Sequence, residues 1–128
     1  MTTSKPHSGK YLRPASEIAL QAEQRLYKSL VRIGNDAAHY LRCFRTARGR
    51  QLALNRVNAG IYVWTEAVWD HAPTRFQPMR KKHYPAHRPR IATLEANAAR
   101  LYKGNPADYW CFPTLGDLDT FTDWYKTL

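Results

Sequence analysis

Apolar residues at Ala19, Ala22, Leu26, Leu30 and Ile33 recur in steps of three and four, the period of a helix with one buried face. Leu20, Tyr27 and Val31 widen that stripe. Arg25, Lys28 and Arg32 form a narrow basic ridge beside it. Ser16 stands where an N-cap belongs, Glu17 follows in the first turn, and Gly34-Asn35 gives a stop signal. A first helix is therefore predicted from Glu17 to about Ile33. A second is expected after a cap at Asp36, with Ala37, Leu41, Phe44 and Ala47 inward and Tyr40 flanking. Arg42, Arg45, Arg48 and Arg50 load its other side. Leu54, Val57, Ile61, Trp64 and Val68 predict a third helix, which Gly60 weakens by about 1 kcal/mol. Ile91, Leu94, Ala98 and Leu101 predict a fourth, ended by Gly104-Asn105-Pro106.

These periodicities predict an all-α fold, an antiparallel three-helix bundle with an additional C-terminal helix and extended arms at both ends. Residues 1–14 read as an extended arm and 15–103 as the helical domain. Within that domain, Pro73, Pro78, Pro85 and Pro89 punctuate a basic loop over 73–90 that contains Arg80-Lys81-Lys82 and cannot be a regular helix. Residues 104–128 carry Tyr109, Trp110, Phe112, Phe121, Trp124 and Tyr125. Such a tail is too apolar to stay solvated, so it is expected to pack on the bundle or on a partner.

Length and charge narrow the function. A chain of 128 residues is one domain's worth, and no apolar run approaches the roughly 18 residues that cross a bilayer. The formal charge of +10 predicts an anionic partner, whether nucleic acid, an acidic protein or a lipid surface. The numerous aromatic residues suggest large contact surfaces. Cys43 and Cys111 have no metal-type or paired spacing, which favours two thiols in a reducing compartment. Lys5, Lys10 and Arg13 without an acid in residues 1–16 would suit an organelle-targeting end, although Pro6 and Pro14 interrupt any single helix there. His83 and His87 have metal-pair spacing, but Pro85 lies between them and no ligand completes a set. Asp117, Asp119 and Asp123 read as solubilising charges. No nucleophile constellation, phosphate-binding glycine loop or metal site stands out, so no catalytic residue is assigned and a non-enzymatic role is expected.

Leu26-Tyr27-Lys28-Ser29-Leu30-Val31-Arg32 resembles the helix-one pattern of the LYR motif family, and Phe44 suits the aromatic that the family carries downstream. Within the family, the stretches 40–48 and 94–113 look most like the accessory subunit at the distal end of the membrane arm of respiratory complex I. Lys28 replaces the commoner Arg, and the 73–90 insertion has no counterpart. The resemblance implies a non-catalytic subunit on the matrix side of the mitochondrial inner membrane, peripheral to it, beside other complex I subunits and binding the mitochondrial acyl carrier protein. Tyr27, Lys28 and Arg32 then dock the carrier, and the charge map adds Arg25, Arg45 and Arg48. Leu26, Leu30, Ile33 and Phe44 would line the core that receives the carrier's acyl-phosphopantetheine. No cofactor is bound directly, no metal is expected, and nucleic acid is not the expected partner. The alternatives are a basic mitochondrial ribosomal protein whose 73–90 segment contacts rRNA, or a family member serving another respiratory complex.

Overall fold

The computed structural model describes residues 13–35 and 39–128 and contains a six-stranded, wholly antiparallel sheet, not a helical bundle. The strands are β1 (Val31–Ile33), β2 (Leu41–Arg45), β3 (Gln51–Asn55), β4 (Ile61–Glu66), β5 (Arg80–Tyr84) and β6 (Ala107–Phe112). Their spatial order is β1-β2-β3-β4-β6-β5. Three helices accompany them, α1 (Glu17–Ser29), α2 (Thr93–Asn97) and α3 (Leu115–Tyr125), with short 3-10 turns at 69–71, 77–79 and 99–101.

The expected all-α bundle is thus corrected to a mixed α/β fold, for local reasons. α1 starts as predicted, with the Ser16 hydroxyl accepting from the Ala19 N–H at 3.2 Å. It ends at Ser29, and Val31–Ile33 leaves it as strand β1. The predicted second helix is β2 plus the turn into β3. Gly49 (φ +98°) sits in that turn, its N–H donating to the Thr46 carbonyl at 2.9 Å. Asp36 and Ala37, assigned to that helix's start, lie outside the described residues, as do residues 1–12 of the arm. The predicted third helix is the β3–β4 hairpin, in which Leu54 pairs with Val63. Ile61-Tyr62-Val63-Trp64-Thr65 is a run of β-branched and aromatic residues that prefers a pleated, buried surface. The fourth helix shrinks to α2 and one 3-10 turn. The basic Pro-rich loop contributes the edge strand β5. The aromatic tail is no appendage: β6 lies between β4 and β5, and α3 covers the sheet.

Side chains alternate between two faces. On the first, α1 and α3 pack Ala22, Leu26, Leu118, Phe121 and Tyr125 onto Phe44, Leu52, Leu54, Val63, Trp110 and Phe112. The second face is covered over only part of its width, where α2 and the following turn bring Leu94, Ala98 and Leu101 onto Leu41, Cys43, Ala53, Trp64 and Ala107. One row of paired residues on this face runs Ile33, Cys43, Ala53, Trp64, Tyr109, Lys82. Cys43, Ala53 and Trp64 are buried, Tyr109 is half-buried and Lys82 is exposed. Cover is lost toward β6 and β5.

Candidate nucleic-acid interface

Where cover is lost, the sheet presents aromatic rings. Tyr62 (β4) and Tyr109 (β6) stack with centroids 5.7 Å apart and planes 23° from parallel. Trp64 packs against Tyr109 at 4.6 Å and against Tyr84 of β5 at 4.7 Å. Only the pairing register brings these four rings together, since they come from three strands. The Tyr109 hydroxyl accepts from the side-chain amides of Asn55 and Asn58, each at 3.4 Å. Burial pushes its pKa up to about 12, against the lowering effect of the Asn55 donor. The Tyr62 hydroxyl is also held above its ordinary value, chiefly by hydrogen bonding to the neighbouring Cys111 thiol. Both phenols are therefore neutral at physiological pH and do not repel an anion.

Cations border the rings. Lys81 places its ammonium 6.0 Å from the Tyr62 centroid. Lys82, Arg88 and Arg90 lie 4.9, 5.5 and 5.3 Å from the Tyr84 centroid. Residues 75–103 contain eight Lys or Arg and one acid, Glu95. Among the described residues, none of Lys81, Lys82, Arg88 and Arg90 is in an ion pair.

Much of the remaining charge is consumed internally. Glu23 of α1 is buried and takes Arg42 Nε at 3.1 Å and Arg56 Nε at 2.8 Å. Glu66 at the end of β4 receives Arg50 at 3.1 Å and Arg100 at 2.9 Å. Asp108 of β6 accepts from Arg80 at 3.2 Å, His83 Nδ1 at 2.8 Å, and the N–H groups of Val68 and Trp69, both at 3.1 Å. Sequence patterning gave no sign of these hubs, because every partner comes from another element. Asp119 pairs with Arg25, and Asp117 accepts from the Thr114 hydroxyl at 2.9 Å at the start of α3, so these acids tie the surface together.

The residues assigned to carrier docking do not form one ridge. Arg25 and Lys28 share a cleft on α1 with Asp119 and Asp123 of α3. Tyr27 meets Phe44 edge-on at 5.4 Å, and its hydroxyl lies 3.4 Å from an Arg32 nitrogen on β1. Arg45 ends β2, while Arg48, in the following turn, donates to the Thr127 carbonyl at 2.8 Å. Leu26, Leu30 and Phe44 lie in the core beneath α1 and α3, whereas Ile33 packs on the opposite face of the sheet.

The two cysteines are free and sit in different surroundings. Cys43 is 2% exposed, and burial pushes its thiol up to about 11 despite Arg32 and Arg42 nearby. Cys111 is half-buried on the open part of the second face. Iodoacetamide at neutral pH is therefore expected to label Cys111 first, with Cys43 reacting only after denaturation. Peptide mass spectrometry over time checks this, and equal rates would mean that the covered part of the second face opens readily.

Comparison with protein-family models, with curated proteins and with solved structures finds no match to this chain.

Proposed function

We propose that this protein binds single-stranded nucleic acid on the open part of its second sheet face. The observation that carries this reading is the stacked Tyr62–Tyr109 pair beside Lys81 and Lys82, with no carboxylate engaging either lysine among the described residues. Aromatic rings on a sheet accept unstacked bases whatever their identity, and flanking ammonium groups follow the phosphates. A duplex hides its base faces and gains only the charge contacts. Binding, and not catalysis, is the role this face suits.

Fluorescence anisotropy with a short labelled oligouridine tests the reading. Tight binding that weakens with salt is expected, with a clear preference over duplex of the same length. Tyr62→Ala is expected to weaken single-strand binding by about tenfold or more while leaving duplex binding nearly unchanged. Lys81→Gln should reduce the slope of log affinity against log salt by about 0.7, the value for one lost phosphate contact. Equal affinity for single strand and duplex, unaffected by Tyr62→Ala, would remove the stacking role.

The acyl-carrier reading is the alternative, favoured by Lys28 exposed at the end of α1 beside Arg25. The interhelical core that it assigned to the acyl chain is replaced by a sheet. What it retains is the charged docking step and, with that, a mitochondrial accessory-subunit role. Retention of an acylated carrier that Lys28→Glu abolishes, with no oligonucleotide binding, would favour it.

A further inference from the structure

Around Tyr84, the last residue of β5, three cations converge. Lys82, Arg88 and Arg90 each lie within 5.5 Å of one ring centroid, and so within 11 Å of one another. The screening length at physiological salt is about 8 Å, so charges this close are only partly screened from one another, and an anion seated among them removes the remaining repulsion. No ion pair relieves any of the three among the described residues. Trp64 packs against the same ring at 4.7 Å, its plane tilted by 49°.

The cluster is built and not incidental. Arg90 is fixed in place, donating to the carbonyls of Pro85 (2.7 Å), Asn105 (2.8 Å) and Leu101 (2.9 Å). Desolvation lowers its pKa from the ordinary arginine value, though not enough to discharge it, so it supplies a permanent, half-buried positive charge. Pro85 and Pro89 bracket a short turn in which the Arg88 N–H donates to the Pro85 carbonyl at 2.9 Å. The Gly104 N–H ties the same loop down through the Ala86 carbonyl at 2.6 Å. Lys82 and Arg88 are exposed, and neither side chain donates a hydrogen bond to the protein among the described residues. Two free donor groups thus flank one immobile charge.

We propose that Lys82, Arg88 and Arg90 around Tyr84 form a seat for one phosphate group. The inference rests on the nucleic-acid reading for its setting, because the seat adjoins the Tyr62–Tyr109 stack through Tyr109 and Trp64 and would hold the phosphate of a strand whose base lies on that stack. The chemistry recognised is a phosphate oxyanion, met either as an internal diester or as a terminal or free phosphate.

Two measurements on the full chain test it. In the first, melting temperature is followed in sodium phosphate and in sodium chloride at equal ionic strength. Phosphate is expected to raise it for the wild type and not for Lys82→Gln/Arg88→Gln, whose melting temperature in chloride stays near that of the wild type. Arg45→Gln/Arg48→Gln, with the same charge lost at the β2–β3 turn, should keep the response. In the second, the seat variant is expected to bind oligouridine at least about tenfold more weakly than the turn variant. Lys82→Arg should retain binding. A strand with a 5′-phosphate that binds more tightly than the same strand without it assigns the seat to a terminal group, and equal binding assigns it to a diester. If phosphate has no specific effect and the two double variants bind the oligonucleotide alike, the seat is overturned while the nucleic-acid reading stands. If phosphate stabilises only proteins with the intact cluster and no oligonucleotide binds, the seat stands and the strand reading fails.

Discussion

Asp108→Ala is expected to lower the free energy of unfolding by about 3–5 kcal/mol, the range for breaking a buried, charge-paired network by removing one partner. The Asp108 side chain is 1% exposed and holds four donors at once. Alanine leaves the Val68 and Trp69 N–H groups without an acceptor at a site closed to water, and each such loss costs about 1–3 kcal/mol. It also leaves Arg80 and His83 facing a small apolar residue. Arg80 keeps its stacking on Trp69 at 4.4 Å, so its loss is partial. For a domain of this size the melting temperature should fall by roughly 10–20 °C. Chemical denaturation at neutral pH measures the change, and a loss below about 1 kcal/mol would show that water enters to replace the carboxylate. The consequence reaches the proposed interface, because β5 is an edge strand held by β6 on one side only. Hydrogen exchange should therefore speed up first at the β5 amides, and oligonucleotide affinity should drop even where the remaining sheet is folded.

Asp108 also shows what could and could not be read from sequence. The beginning of α1 was legible because Ser16 and Glu17 act locally, through a cap and a helix dipole. That 73–90 forms no regular α-helix was legible because proline acts locally too. The apolar demand of 104–128 was legible as composition, though its place inside the sheet was not. Strands failed where both faces are buried. Apolar residues spaced by three and four in 54–68 fit a helix, but Ile61-Tyr62-Val63-Trp64 is apolar throughout, so spacing did not discriminate there. The discriminating signals were the β-branched and aromatic run at 61–65 and Asn58-Ala59-Gly60 before it, a loop signal between strands. The candidate interface was less legible still. Tyr62, Tyr109 and Lys82 are far apart in the chain and meet only through the pairings of β4 and β5 with β6. Net charge pointed to an anionic partner without saying where. Arg42, Arg50, Arg56, Arg80 and Arg100 serve carboxylates inside the protein, whereas Lys81 and Lys82 of β5 and Arg88 of the following loop are exposed.

Glu23→Ala is expected to be as damaging as the loss of Asp108, by about 3–5 kcal/mol, and its pH dependence identifies the cause. Glu23 is 5% exposed beneath α1, where Arg42 and Arg56 reach it from β2 and from the β3–β4 turn. Removing it takes the shared carboxylate away from two guanidinium groups, only 11% and 14% exposed, under a helix. Arg56 keeps one donor on the His39 carbonyl at 3.1 Å, which limits the damage. Burial alone would raise the pKa of Glu23, but hydrogen bonding and charge from Arg56, a hydrogen bond from Tyr27 and the charge of Arg42 together hold it below its ordinary value of 4.5. A carboxyl with a depressed folded-state pKa contributes stability that is present above the unfolded value and is lost as pH falls through the folded one. The wild type should therefore lose this contribution progressively on acidification below about 4.5, and Glu23→Gln, which cannot titrate, should show a flatter profile over that interval. Urea midpoints from pH 3 to pH 7 for the two proteins make the comparison. Parallel curves would mean that the Glu23 hub does not set acid stability. Convergence toward low pH is the expected result, because the protonated Glu23 carboxyl and the amide that replaces it in the variant are then both neutral groups beneath the same two arginines.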